Sequence, residues 1–434
     1  MIDLAQLRRE PDVVKDALAR RGVPPSTLDD VAALDTEHRR LLQETERLRA
    51  DVKSLSRQVG EARRNKDSAR AEELAAISRE LGDEERQASA SVELVANRLR
   101  DLLLQLPNLP APEAPDGVDE HDNVVVRHWW VGMDDGIEFP TFGEHQRVPH
   151  WDIGAELGIL DLESGAKLAG SMFPLFRGTG SRLLRALGAF ALDQHTPDYE
   201  EIRPPTFALT ETMVSTGHLP KSADDMYAIE RDGLWAIPTA EVPLTSMLRG
   251  EILDESRLPI RMTALTPCFR REAGAAGRDT RGLLRVHEFD KVELFAYCTP
   301  EQASDAHADI LARAEALLRA LGLTYRVLDL CAGDLGTSSA RTFDLEVYSP
   351  GVDRWLEVSS VSWFRDYQSR RANVRYRRED GSTALVHTVN GSALAWARIW
   401  AALVETYRQP DGSVTLPSAL APYLGETTIS PRRG

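Results

Sequence analysis

Leucines recur every seven residues along two stretches near the N-terminus, and that spacing limits what the chain can fold into more than any other feature. Leu34, Leu41, Leu48 and Leu55 form the first series, with Val52 and Val59 on the companion position. Leu74, Leu81, Ala88, Val95 and Leu102 form the second, helped by Ile77, Val92 and Leu99. No proline interrupts either series. A seven-residue apolar repeat keeps one seam of a helix facing a partner helix. The expected structure is an antiparallel two-helix coiled coil turning between residues 60 and 67. At about 30 residues per arm and 1.5 Å per residue it projects roughly 45 Å.

Near the turn, Lys53, Arg57, Arg63, Arg64, Lys66 and Arg70 outnumber Glu61 and Asp67, although the whole chain has a formal net charge of −16. That overall charge argues against indiscriminate nucleic-acid binding, and no DNA partner is expected. A local basic patch can still meet RNA phosphates; a solvated helical face is the other reading of such a run. No apolar run reaches the roughly 18 residues of a membrane span, and the start, MIDLAQLRREPD, is charged rather than signal-like. Cys268, Cys298 and Cys331 are scattered, with neither disulfide nor zinc spacing. A cytoplasmic location with no membrane partner is the expectation.

Proline-rich LPNLPAPEAPDG (106–117) cannot continue a helix. The expected division is an N-terminal unit over 1–107, a linker over 108–118 and a C-terminal unit over 119–434. In the last of these, helical stretches such as SRLLRALGAFALDQH alternate irregularly with strand-like ones such as LWAIPTA, DLEVY and RWLEVSSVS. Without regular βαβ alternation the fold class is α+β, a mainly antiparallel sheet flanked by helices. No GxxxxGK[ST] run occurs, so a nucleotide would need another cradle.

The segment Thr266–Phe295 reads as two antiparallel strands around a loop rich in glycine and alanine. Period-two alternation puts Arg285, His287, Phe289, Lys291 and Glu293 on one face and Leu284, Val286 and Val292 on the other. Arg270 and Glu272 share a face of the first strand. Guanidinium groups suit phosphates and carboxylates, Phe289 could stack on a purine, and Glu272 could accept from its amino group. A half-exposed hairpin with surface ion pairs is the alternative. In Val386–Tyr407, Ser392 or Asn390 can cap an apolar helix. Arg398 lies inside that run and must meet an anion, from the protein or from a ligand. Glu357 with Ser360 could anchor Mg²⁺ once nucleotide phosphates complete its oxygen shell.

Taken in order, these segments resemble the seryl-tRNA synthetases of the ordinary bacterial type, within class II of the aminoacyl-tRNA synthetases. The resemblance extends through HWDIGAELGILDLESGAKLAGSMF, TGHLPKSADDMY, IPTAEVPLTSML, EAGAAGRDTRGLLRVHEFDKVE, RRANVRYRR and HTVNGSALA. The arginine-bearing hairpin is similar to the class's second motif, the Arg398 helix to its third, and the segment into YEEIRPP to its dimer-forming first. It implies a class II catalytic domain that activates serine with ATP and transfers it to tRNA(Ser), in a homodimer, with Mg²⁺. It implies Arg270 and Arg398 as catalytic groups on the phosphates, with Glu272, Arg285, Val286 and Phe289 around ATP and Glu357 and Ser360 on the metal. It implies Thr239, Glu241, Arg270, Glu293, Asn390 and Ser392 around serine. The coiled coil would lie along the long variable arm of tRNA, touching it through Lys53, Arg57, Arg63, Arg64, Lys66 and Arg70.

Several positions depart from the family pattern: Val361, Trp363 and Arg365 in SSVSWFRDYQ, Glu288, Ala397 and His218. Trp363 is expected to bear most on the pocket. The departures leave room for a second-copy enzyme serving antibiotic self-resistance or supplying seryl-tRNA to a biosynthetic pathway. A ligase charging a carrier protein and a non-catalytic RNA-binding protein are the remoter alternatives.

Overall fold

The computed structural model describes residues 1–275 and 280–431; part of the glycine- and alanine-rich loop at 276–279 lies outside them. Two compact units result, Ile2–Leu106 and Pro107–Gly434, the latter joined by Met1.

In the first unit, helices α1 (Pro25–Arg64) and α2 (Ser68–Gln105) form the hairpin. Prolines at the N-cap and first position start α1, where a missing N–H costs nothing. The Asp67 side chain caps α2 by accepting from the Arg70 amide at 3.1 Å. Leu41, Leu48, Leu74, Val95 and Leu99 are buried along the seam, and Arg49 bridges to Glu85 at 2.6 Å. The arms are longer than the heptads suggested, 40 and 38 residues, or roughly 60 Å. Gly60 is helical, and the turn is confined to residues 65–67, where Lys66 takes a φ of 60°. Ile77 is 40 % exposed and stands off the seam, which runs instead through Ala71, Leu74 and Leu81.

The second unit is built on an eight-stranded sheet. Its strands are β1 (Val124–Trp129), β2 (Glu200–Glu201), β3 (Ile260–Phe269), β4 (Glu288–Cys298), β5 (Tyr325–Asp329), β6 (Arg341–Ser349), β7 (Arg354–Arg365) and β8 (His387–Ala395). Their order across the sheet is β1-β5-β6-β7-β8-β4-β3-β2. Every neighbouring pair is antiparallel except β2 with β3. Helices α3 (Thr179–His195), α4 (Ala303–Ala320) and α5 (Trp396–Thr406) belong to the same unit.

Strand β4 is buried along both faces from Lys291 onward. On one face Val292, Leu294 and Ala296 join the large apolar core with residues of the three helices, among them Leu187, Ile310 and Trp400. On the other, Phe295 and Tyr297 pack with Ala240, Leu244 and Met262, while Phe289, Lys291 and Glu293 face polar cavities. One apolar face thus holds the strand rigid, and the other is free to carry charge.

Candidate active site

Three cavities meet at Arg270, the one side chain among the described residues that lines them all. Arg270 follows the end of β3, and its backbone is tied across to His287: its N–H donates to the His287 carbonyl at 2.9 Å, and His287 Nδ1 lies 2.9 Å from the Arg270 carbonyl. Its guanidinium carbon sits 5.3 Å from the centre of the Phe289 ring. The paired strands are shorter than the alternation suggested, ending at Phe269 and resuming at Glu288. Arg285 and His287 therefore belong to the connection, and so do Arg270 and Glu272. Glu272 takes a left-handed φ of 51°, which swings its carboxylate onto the Arg285 guanidinium.

The first cavity, about 200 Å³, is lined by Glu272, Arg285, Val286, Phe289, Glu357 and Arg398, among others. Arg398 is 28 % exposed and meets the anion its setting demanded: Nη1 lies 3.6 Å from the Glu357 carboxylate. It also donates to the Glu357 carbonyl at 2.7 Å and, through Nε, to that of Leu284 at 3.0 Å. Asn390 and Ser392, expected as helix caps, lie inside strand β8 instead. Helix α5 begins only at Trp396, capped by no side chain.

Glu357 and Ser360 would point to opposite faces of a regular strand. In β7 they do not. Leu345 of β6 pairs with Ser359 and its neighbour Glu346 pairs with Glu357, so Val358 is an inserted residue, a β-bulge. The bulge turns both oxygen ligands to one face, where they line the same cavities. Asp344, directly opposite Ser360, accepts from its hydroxyl. Burial, then the Glu357 charge, pushes the Asp344 carboxyl well above the usual range. Its Oδ1 is buried without a hydrogen bond among the described residues. This donor set of hard oxygens fits a divalent cation such as Mg²⁺. No group of three His, Cys, Asp or Glu among the described residues could hold a metal, so oxygens of a bound nucleotide would have to complete its shell. Asp344 was missed in the sequence because only the bulge reveals its company.

The second cavity, about 250 Å³, brings together Thr239, Glu241, Glu293, Asn390 and Ser392. Thr239 Oγ1 donates to Glu293 at 2.9 Å and accepts from Lys291 Nζ at 2.8 Å. Lys291 also pairs with Glu293 at 2.5 Å, and both side chains are almost fully buried. Glu241 accepts from Gln368 at 2.6 Å. Burial, with Glu293 adding to it, raises the Glu241 carboxyl to about 7. Two carboxylates, one lysine and several hydroxyl and amide groups around one cavity suit a ligand with an ammonium and a hydroxyl. Lys291 and Gln368 carry the network without having been singled out for it. Every residue read from the sequence as facing ATP or serine lines one of these two cavities.

Trp363 does not. The bulge and the pairing put Ser362 beside Asn390, on the cavity side, and Trp363 beside Val389, on the helical side. Its indole N–H donates to His387 Nδ1 at 3.3 Å, and Arg365 stacks over it. Strand parity thus keeps Trp363 out of both cavities, contrary to the expectation that it bears most on the pocket, whereas two other departures from the family pattern, Ala397 and His218, do line them. At the hairpin tip, Lys53, Arg57, Arg63, Arg64, Lys66 and Arg70 are all exposed, Arg70 being paired with Glu73 at 2.7 Å.

Known proteins resemble this chain over its full length. Residues 1–110 match the seryl-tRNA synthetase N-terminal domain and residues 227–407 the class II tRNA synthetase core domain shared by enzymes for G, H, P, S and T. The serine–tRNA ligase of Acidithiobacillus ferrooxidans is 47 % identical over 99 % of both chains. That of Thermomicrobium roseum is 44 % identical over 98 % of this chain and 94 % of its own. Among solved structures, the seryl-tRNA synthetase of Pyrococcus horikoshii complexed with ATP superposes with a TM-score of 0.90 at 35 % identity, covering both chains completely. The cytoplasmic serine–tRNA ligase of Naegleria fowleri, in complex with AMP, gives 0.86 at 27 % identity over 100 % of this chain and 99 % of that one. A coiled-coil arm ahead of a charged antiparallel sheet, matched from end to end at such identity, makes this chain a member of the seryl-tRNA synthetase family.

Proposed function

We propose that this protein activates serine with ATP and transfers the seryl group to tRNA(Ser). The observation that carries the reading is the junction at Arg270, which lines both a cavity suited to a purine nucleotide and a neighbouring one suited to serine.

Phe289 offers the adenine ring a stacking surface and Glu272 accepts from its amino group, once Arg285 leaves that carboxylate for a phosphate. Arg398 meets the γ-phosphate, exchanging its weak 3.6 Å contact with Glu357 for a stronger charge-assisted bond. Glu357 and Ser360 would hold a divalent ion, which would supply positive charge to the phosphate oxygens. Glu241, Glu293 and Thr239 take the serine ammonium and hydroxyl. The serine carboxylate, steered by Arg270, attacks the α-phosphorus; pyrophosphate leaves and seryl-adenylate remains. Positioning and fixed charge supply most of the rate enhancement. Hydroxyl-directed groups left unpaired by alanine reject it strongly, whereas threonine is excluded by fit around one methyl.

The finer parts of the reading are a division of labour, with residues 1–107 engaging tRNA and 119–434 performing the chemistry, a homodimer, and a cytoplasmic location. The six exposed tip cations support RNA contact, and among the described residues no helix is long and apolar enough to cross a membrane. Serine-dependent exchange of pyrophosphate into ATP, followed by charging of tRNA(Ser), tests the whole. Both activities are expected. Exchange without charging would favour a carrier-protein ligase, and no exchange would end the enzymatic reading.

A further inference from the structure

The third cavity at Arg270 has no occupant in the activation step. It measures about 380 Å³ and is lined by His218, Ser222, Asp225, Glu272 and Arg285 besides Arg270. His218 lines the serine-side cavity as well, so its ring stands where the two spaces join.

The imidazole is fixed at its inner nitrogen. His218 Nδ1 lies 2.7 Å from Thr216 Oγ1, and Thr216 Oγ1 lies 3.1 Å from the Met213 carbonyl. A hydroxyl has one proton to give. Both contacts are satisfied only if Thr216 donates to Met213 and His218 Nδ1–H donates to Thr216. That tautomer leaves Nε2 with a free lone pair. Burial, and after it the charges of Arg270 and Lys291, lower the ring to about 3. The ring therefore stays neutral throughout the working range of pH, an acceptor among cationic donors.

The reactant still to be placed is the terminal ribose of tRNA, whose cis-diol carries two hydroxyls. We propose that His218 is a positioning residue: its Nε2 accepts a hydrogen bond from the non-attacking ribose hydroxyl and so aims the other at the seryl carbonyl. The proposal rests on the reading of function above. In the transfer step the attacking ribose oxygen bonds to the seryl carbonyl carbon, and the bond from that carbon to the phosphate oxygen breaks. AMP departs, and the attacking hydroxyl's proton leaves with the AMP phosphate or to water. His218 neither gains nor loses a proton.

The test uses the full-length enzyme loaded with seryl-adenylate, in single-turnover transfer to tRNA(Ser) ending in adenosine, 2′-deoxyadenosine or 3′-deoxyadenosine. With ordinary tRNA, His218→Ala is expected to slow transfer by about tenfold more than it slows pyrophosphate exchange, the effect of one lost hydrogen bond. His218→Gln recovers most of that loss, because its carboxamide oxygen also accepts. With whichever deoxy-tRNA is still charged, His218→Ala makes no further difference, since the hydroxyl it would hold is gone. Equal losses in exchange and transfer, or an undiminished effect on the deoxy-tRNA, would overturn the assignment while the function stands. Absence of exchange in the wild type would remove the underlying reading and the assignment with it.

Discussion

The two ends of this chain's chemistry handle charge in opposite ways. At the hairpin tip six cations stand in water with little packed around them. In the serine-side cavity Lys291 and Glu293 are withdrawn from water and satisfied by each other and by Thr239, and the likewise buried Glu241 accepts from Gln368. Exposed charges cost the fold almost nothing and act only when a partner arrives. Buried charges must be satisfied before any ligand comes, so they couple stability to recognition. The fold should therefore feel every change in the cavity and ignore changes at the tip.

The largest effect is expected from Lys291→Met, which leaves Glu293 buried with its ion pair removed and Glu241 close by. Breaking such a pair costs on the order of 3–5 kcal/mol. Urea denaturation should show the stability falling by about that much, with serine-dependent exchange lost. A variant as stable as wild type would mean that the cavity charges are solvated after all, and the contrast with the tip would fail.

Glu241→Gln sharpens the contrast by reversing its sign. The folded Glu241 carboxyl titrates at about 7 against an ordinary 4.5, so the folded state keeps a proton that the unfolded chain has released. The resulting stability is complete below pH 4.5 and is lost as pH rises through 7, by on the order of 3 kcal/mol. Glutamine has no such loss. The variant should match wild type in Tm near pH 5 and exceed it at pH 8, while its KM for serine rises because the ammonium has lost an anion. A Tm difference independent of pH would show that Glu241 is ionised without penalty in the empty enzyme.

How far the sequence discloses each region follows from how local its physics is. The hairpin is specified by contacts between two neighbouring helices, so a seven-residue repeat suffices to find it. What the repeat missed, the extra length and the exposed Ile77, concerns the ends and flanks of the seam, where little packing enforces it. Arg270, Glu272, Phe289 and Arg398 were legible because charges are out of place beside apolar runs such as VELFAY and SALAWARIW, whereas the serine-side set was implied only by the family resemblance. Their placement was harder to read. Strand β8 is buried on both faces, and its run of apolar and small residues reads equally as the start of a helix, hence the mistaken caps at Asn390 and Ser392. One inserted residue, Val358, decides that Glu357, Ser360 and Asp344 share a face and that Trp363 does not. A bulge is a property of two paired strands, and nothing in either strand alone announces it.

The smallest effect on the molecule itself is expected at the tip. Arg63→Ala, Arg64→Ala and Lys66→Ala combined should leave the Tm and serine-dependent exchange at wild-type values, since these side chains are exposed and far along a helix from any cavity residue in sequence. Charging should change instead: the KM for tRNA(Ser) is expected to rise roughly tenfold near physiological salt, with kcat little altered. Each phosphate contact releases counterions on binding, so removing three cations should also flatten the dependence of log affinity on log salt by about two units. The slope separates a direct phosphate contact from a mere disturbance of the hairpin, because a bent or frayed arm would weaken binding without altering the count of ions released. An unchanged slope, or a loss of exchange that parallels the loss of charging, would break the division between a charged tip that waits for RNA and a charged cavity that holds the fold.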